Sequence, residues 1–496
     1  MKINHEKESR LGRTVAFCAL AIVLVPISVQ AERSEDGIGL NEYLKQVKAN
    51  HPFFIQQALN GDIERAQQHR FLGDEDWVIK VNPSYQHTER STGSAFVAEE
   101  QDNLSFNAGV ERQFWSNGSR VSIDYDYYHS DQHFSPPSGA FDEQGSGLNV
   151  TYTIPLMKNK GGVLSRLDYE LQAYSVDLSE INSTESMEGF LEQQGLMFLD
   201  WVFITEQRRI AKNRLALAEE ELARTKKKRR SRLVAEVDVL RAQDAVINAM
   251  QNLASIKSQW RAVQAELATH SANPALYQMA PQLDLYTLKT LPPLEQALSR
   301  VRDNARQLQS IDIQVAQMDR LKSGFGNQLE PELDLVVGGG LRSEADNFSG
   351  STKFDQPQYM IGVNFRYPLG QRSARADVNK TRLQRQQLKE AKNNLLWQLE
   401  AQLRNLVVQL IELEKVIDLN KEQIVVARKR TQEELKRHNQ GRSELSFVIQ
   451  SRDNEQNAQL TYAANAANYQ KLWLRYEALT DALLADADKT EQESRS

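Results

Sequence analysis

The sequence predicts a mixed α and β membrane protein built from two internal helix–strand–strand–helix repeats. Its strands suit a closed barrel, and its helices are too long to stand alone. Three observations carry this. "VTYTIPLM", ending at Met157, and "VNFRYPLG", ending at Gly370, make the same passage from alternating strand through Pro-Leu into charged helix. The chain opens with an export-like segment, and no later run of about 18 apolar residues could form a helical span. The composition, 25% charged with only 13 Pro in 496 residues, favours long helices over a compact α/β enzyme.

Lys2, Lys7, Arg10 and Arg13 precede the apolar stretch Thr14 to Val29, and Ala31 offers a small residue before Glu32. Residues 1–31 therefore read as a secretory signal peptide. Cys18 lies inside it and follows Phe17, where lipid attachment would want a small residue. The mature chain is expected to carry no disulfide, thiolate metal site or cysteine nucleophile. An exported chain without a helical span crosses a membrane only as a closed β-barrel. The net charge of −6 gives no reason to expect nucleic acid.

The first repeat is placed at 32–270, a linker at 271–290, the second repeat at 291–485 and a polar tail at 486–496. Leu40, Leu44, Val47 and Asn50 align with Leu294, Leu298, Val301 and Asn304, the spacing of an amphipathic helix in both copies. Four prolines are expected at the helix–strand junctions: Pro83 and Pro331 where helix gives way to strand, Pro155 and Pro368 where strand returns to helix. Long helical tracts follow over Leu164 to about Lys226, Val234 to Leu267, Ala374 to about Asn439 and Glu444 to Leu484. At ~1.5 Å per residue, a tract of about sixty residues is about 90 Å long and must pack as a coiled coil or bundle. The breaks between paired helices also correspond, with Val239, Asp244, Asn248 and Ala249 aligned to Val448, Asp453, Asn457 and Ala458.

The strands alternate. Tyr359, Ile361, Val363, Phe365 and Tyr367 fall on one face, against Met360, Gly362, Asn364 and Arg366; Leu148, Val150, Tyr152 and Ile154 oppose Asn149, Thr151 and Thr153. This is the pattern of lipid-facing and lumen-facing positions in a transmembrane barrel, and a half-buried soluble sheet alternates identically. The first repeat has an added segment, Leu104 to Ser130, with two alternating strands around Asn117-Gly118. It either widens the barrel or projects as a folded loop.

Other signals are set aside. "TKKKRRSR" (Thr225 to Arg232) reads as a solvated face, with contact to an acidic partner or anionic headgroups as the alternative. His129 and His133 stand at a ligand spacing that works only on a helix, whereas the surrounding pattern is strand and loop. Gly338 to Gly340 follow a strand and open no phosphate-binding helix. No arrangement of catalytic residues, cofactor motif or metal-ligand set at telling spacing appears, and a periplasmic enzyme has no supporting constellation.

Taken together, the signal peptide, the doubled repeat, Pro-Leu at each return to helix and "LVAEVDVLRAQ" at a helical break resemble the TolC-like outer membrane efflux factor family. The resemblance implies a homotrimer sharing one transmembrane β-barrel, which continues into a long periplasmic α-helical coiled-coil tunnel. It implies a passive exit duct in the outer membrane of a Gram-negative bacterium, serving a tripartite efflux or type I secretion system. Its partners would be outer membrane lipid, a periplasmic adaptor and an inner-membrane pump of RND, ABC or MFS type. Carried onto this chain, adaptor contact falls on Leu233, Val234 and Gly441, with Arg232 where the first tip would have glycine. The periplasmic gate falls on Phe447, Gln450 and Asp238, more apolar than the family's acidic ring, with Phe447 as an ordinary coiled-coil core residue the competing reading. Val150, Tyr152, Ile154, Ile361, Val363 and Phe365 would face lipid. The rival reading is a secreted coiled-coil structural or adhesion protein with soluble sheets.

Overall fold

The computed structural model describes residues 37–483 apart from 92, 93, 95, 137 and 138. The signal segment, Cys18 and the polar tail lie outside the described residues. The first repeat runs α1 (Leu40–Asn50), α2 (Pro52–Phe71), β1 (Val78–Glu89), β2 (Ala98–Gln113), β3 (Arg120–Phe134), β4 (Ala140–Pro155), α3 (Leu167–Arg230) and α4 (Glu236–His270). The second runs α5 (Leu294–Asn304), α6 (Arg306–Gln328), β5 (Glu332–Ala345), the single-turn α7 (Phe348–Ser351), β6 (Gln356–Arg366), α8 (Arg372–Asn439) and α9 (Leu445–Leu479).

Helix α8 runs 68 residues without a glycine or proline, so nothing in it breaks the backbone ladder. The opening helices do break. His51 is extended at ψ 127°, Pro52 takes the first helical position of α2, and the His51 imidazole accepts the Phe53 N–H at 3.2 Å. In the second copy Ala305 makes the same break before Arg306 without a proline.

The helices form a wall four wide. Next to the sheet the order is α2, α3, α6, α8; farther away it is α4, α3, α9, α8. Two equivalent cores hold the wall. Leu44 and Val47 of α1 are buried with Phe198, Trp201 and Leu267, and their counterparts Leu298 and Val301 of α5 with Leu403, Leu410 and Tyr469. Between α3 and α9, Gly195 leaves space that Leu474 occupies and a Cβ would need. The 271–290 segment is packed: Leu276 and Leu285 are buried in the first core, and Ile38 bridges Pro281.

All six strands form one antiparallel sheet in sequence order, and the added segment supplies two of them, β2 and β3. Their turn is a four-residue loop closed by Phe114 N–H to Ser119 O at 2.8 Å, with Gly118 at φ 75° and the Asn117 side-chain Oδ1 accepting from Ser119 N–H at 2.9 Å. The hairpin expected around Asn117-Gly118 is present, and Trp115 in its loop contacts Glu75 and Tyr169.

Pro83 corrects the junction scheme. It lies inside β1, opposite Phe106, five residues past the strand's start. β1 is an edge strand, where a residue without an N–H is tolerated. Pro331 does stand immediately before β5. Pro155 is the last residue of β4 rather than part of a helical first turn, and Pro368 lies in the connection between β6 and α8. The return to helix is made instead by left-handed backbone: Asn159, Gly161 and Gly162 before α3 and Gly370 and Gln371 before α8, all at positive φ. The Asn159 side chain accepts from the N–H of Leu164 at 2.9 Å and of Ser165 at 3.1 Å, which fixes that turn.

Candidate functional site: a two-faced sheet and a pair of helical tips

Strand register sorts the sheet into two faces, because residues directly opposite in antiparallel strands share a face. One face carries Ile79 and Val81 (β1), Phe106 and Val110 (β2), Ile123 and Tyr125 (β3), Leu148, Val150, Tyr152 and Ile154 (β4), Leu335 and Val337 (β5), and Tyr359, Ile361, Val363 and Phe365 (β6). Every strand residue expected to face lipid lies on this face. It is bare over β6, where Ile361 is 78% exposed, whereas α7 packs over its end away from the helices, with Ser343 donating to Gly350 O at 2.7 Å and the Phe348 and Phe354 rings set against Tyr127 and Tyr125. The other face is polar, with Asn82, Asn107, Asp124, Asp126, Asn149, Asn364 and Arg366 among its residues. It is also crowded. Side chains of Asp124, Tyr128 and Asn149 fold over Gly109, Gly145 and Gly340, taking the space a Cβ would need, as on the concave side of a curved sheet. Gly338 and Gly340 of the glycine run belong to this face, so that run serves close packing.

Within one chain the sheet does not close. β1 and β6 are its two edges. The outer helices continue the same flanks with apolar stripes. On the β1 side these are Ile55, Leu59 and Ile63 of α2 and Val237, Leu240, Ile247 and Met250 of α4; on the β6 side, Trp397, Val408, Ile411, Leu419 and Val426 of α8.

At the far end, α3 turns into α4 and α8 into α9 by the same construction. Arg232 N–H donates to Arg229 O and Leu233 N–H to Lys228 O, both 2.9 Å. Gly441 N–H donates to His438 O at 3.0 Å and Arg442 N–H to Arg437 O at 2.9 Å. Both are Schellman ends. Of the residues expected to contact an adaptor, Leu233 is 74% exposed, Val234 half-buried and Gly441 exposed at the apex. "TKKKRRSR" forms the last turns of α3 and the start of its tip, largely exposed, with Arg229 paired to Glu236 at 3.0 Å.

Asp238 and Phe447 occupy corresponding positions just inside α4 and α9. Asp238 works as a cap: its carboxylate accepts the Ala235 N–H at 3.3 Å and pairs with Arg241 at 3.5 Å. Phe447 cannot cap, and it is 57% exposed. The core there is made by its neighbours Leu445 and Val448, with Ala242. Within the chain, Phe447 is thus not a coiled-coil core residue. Gln450, one turn on, lines an open groove of about 530 Å³ with Arg214, Arg241, Asp244 and Asp453.

The structure also reveals charged side chains that the sequence reading missed. Arg214 donates to Asp453 at 2.7 Å, and buried Arg452 donates to Leu217 O at 2.7 Å with Glu221 3.6 Å away. Burial lowers the Arg452 guanidinium from its usual range. Higher up, Arg306 reaches Glu188, Glu185 (3.3 Å) and Asp481 (3.0 Å). Burial raises the Asp481 carboxyl, and Arg306 opposes this. The only sequence signal was Arg306 standing where the first copy has Pro52.

Two clusters bring three potential metal-ligand atoms together among the described residues. Glu185, Glu188 and Asp481 already surround Arg306. His87, Glu100 and Asp102 are at the end of the sheet away from the helices, where His87 hydrogen-bonds Asp102 at 2.8 Å and Tyr85 donates to Asp102 at 2.6 Å. His129 and His133 lie on β3 and pair with Asp142 (2.8 Å) and Asp131 (3.6 Å). No described helix is long and apolar enough to cross a membrane.

No protein-family model matches the sequence, and a search of curated proteins finds no significant match. Solved structures do match. The Campylobacter jejuni CmeC outer membrane channel has a TM-score of 0.64 at 13% identity, covering 98% of this chain and 97% of its own. The open state of the Neisseria gonorrhoeae MtrE outer membrane channel has 0.63 at 14%, covering 90% and 89%. The outer membrane protein VceC of Vibrio cholerae has 0.62 at 12%, covering 90% and 95%. The chain has the fold of these TolC-like outer membrane channels, as the sequence resemblance implied.

Proposed function

We propose that this protein is an outer membrane channel: a homotrimeric, passive exit duct for substrates delivered by an inner-membrane pump through a periplasmic adaptor. The observation that carries this reading is the pair of open flanks. Unpaired strand backbone in hydrocarbon costs several kcal/mol per group, so a six-stranded sheet with a largely bare apolar face is stable in lipid only when its edges close. β1 of one copy meeting β6 of the next closes the sheet, and the same step packs the stripes of α2 and α4 on that of α8. Three copies give the closed cylinder of the family plan.

In this reading Val150, Tyr152, Ile154, Ile361, Val363 and Phe365 face lipid, and the helices extend into the periplasm. Leu233, Val234 and Gly441 meet the adaptor. Phe447 and Gln450 line the closed end, and Asp238 holds the start of α4. The duct performs no bond chemistry; opening is a two-state helix rearrangement biased by partner binding. Drug-type efflux and type I secretion share this architecture, and the pump determines which applies.

Fractionation tests the reading. The protein should pellet with outer membranes, run as a detergent-resistant trimer and conduct ions in a planar bilayer. A soluble monomer recovered from the periplasm would overturn it. Crosslinkers placed at Leu233 and Gly441 should capture the adaptor.

A further inference from the structure

We propose that the assembled exit is an eighteen-stranded barrel wide enough for cargo with the cross-section of a helical hairpin, so that size selection falls on the helical tips. This rests on the three-copy reading above and deepens it. The two-repeat plan, one strand pair per repeat, needs four strands from each chain. This chain supplies six in one continuous sheet, because the added hairpin stands between β1 and β4.

Three observations place that hairpin in the wall rather than outside it. It is paired along nearly its full length on both sides, from Val78↔Glu111 to Glu89↔Glu100 and from Arg120↔Thr153 to His133↔Ala140. Its faces are in phase with the rest of the sheet: Phe106, Val110 and Ile123 continue the apolar band, while Asn107, Asp124 and Asp126 continue the polar one. Its turn is locked under the helices. Trp115 N–H donates to the Glu75 carboxylate at 2.6 Å, the Trp115 ring lies 5.4 Å from that of Tyr169 on α3, and Gln113 donates to Ser165 at 2.5 Å.

The dimensions agree. Strands spaced about 4.8 Å apart and tilted about 40° each take about 6.3 Å of circumference. Six strands then span about 38 Å, and four span about 25 Å. The four helices of the wall, at about 10 Å apiece, span about 40 Å. Six strands therefore meet the helical wall without a constriction. Eighteen strands give a barrel about 36 Å across, against about 24 Å for twelve. Allowing about 5 Å for inward side chains on each wall, half the spacing of packed sheets, leaves about 26 Å and about 14 Å. One α-helix with side chains is 10–12 Å wide, so the wider exit admits two side by side and the narrower only one.

The test images the intact purified complex in lipid nanodiscs by electron cryomicroscopy and measures its native mass. Three copies with eighteen strands is the expected result. Three copies with twelve strands, the hairpin lying outside, overturns this inference and leaves the duct reading standing. Any other copy number overturns both. A second readout uses single cysteines in the mature chain. Ile123→Cys, on the apolar face, should react about tenfold more slowly with a hydrophilic maleimide than Asp124→Cys, on the polar face. Equal labelling of the two would put the hairpin in water and sink the proposal.

Discussion

Arg232 and Gly441 occupy the same backbone position at the ends of α3 and α8, with φ of 56° and 71°. Each donates the equivalent capping hydrogen bond, so the two repeats end their long helices identically with different residues. An arginine in left-handed backbone costs about 1–2 kcal/mol that glycine avoids, part of which glycine loses again in unfolded-state entropy. Arg232→Gly should therefore tighten the first tip by about 1 kcal/mol, seen as roughly fivefold slower hydrogen exchange at Leu233. Gly441→Arg should loosen the second tip by a similar factor. Unchanged exchange in both variants would refute the shared cap geometry.

Phe447 presents an exposed aromatic ring where the corresponding Asp238 caps its helix. In the proposed trimer three such rings would converge and exclude water. Phe447→Ala should raise the open fraction of single channels several-fold without the adaptor, and Phe447→Asp should raise it further by placing three carboxylates together. Channel recordings of both variants indistinguishable from wild type would remove Phe447 from the gate.

The fold was largely legible because its signals are periodic and repeated. Leu44 with Leu298 and Val47 with Val301 already paired in the sequence, and each pair is buried equivalently. The alternation of Tyr359 to Phe365 was enough to sort the faces. Two kinds of information were not legible. Pro83 misled because the sequence does not say which strand is at the edge of the chain's own sheet, one of the few places where a strand interior tolerates proline. Whether Leu104 to Ser130 joins the sheet depends on Trp115 reaching Glu75 and Tyr169, contacts with no local signature. At the candidate site, Leu233 and Gly441 were implied by the family resemblance, and both lie at the turns between paired helices. The Arg214–Asp453 and Arg452–Glu221 pairs escaped because their members are distant in sequence and lie on different helices.

Arg306 is held among Glu185, Glu188 and Asp481, where α3, α6 and the turn after α9 meet. Arg306 is largely shielded and Glu188 is buried, and breaking a buried ion pair by removing one partner typically costs about 3–5 kcal/mol. Arg306→Met should lower stability by about that amount at pH 8. The sign of its pH dependence follows from Asp481, whose carboxyl burial already raises. A carboxyl with a raised folded-state pKa favours the protonated folded form, so its penalty is relieved as pH falls. The deficit of Arg306→Met should shrink toward pH 5, as thermal unfolding at the two pH values would reveal. A deficit independent of pH would mean the loss is one of packing alone.

His51 joins α1 to α2 and also touches the end of α4. Its Nδ1 accepts the Phe53 N–H at 3.2 Å, and its Nε2 lies 3.2 Å from Nδ1 of His270. An Nδ1 that accepts carries no proton, so the capping form is the neutral one. Burial lowers the His51 pKa first, and the neighbouring His270 lowers it further. The unfolded chain therefore takes up the proton more readily than the folded one. The contribution of His51 to stability is complete above an unfolded pKa of about 6.5. It is lost as pH falls through that value toward the depressed one. Wild-type protein should lose thermal stability between pH 7.5 and pH 5.5. His51→Asn keeps an acceptor for the Phe53 N–H but cannot titrate, so it should lose measurably less. Parallel pH profiles for the two proteins would show that the cap does not titrate in this range.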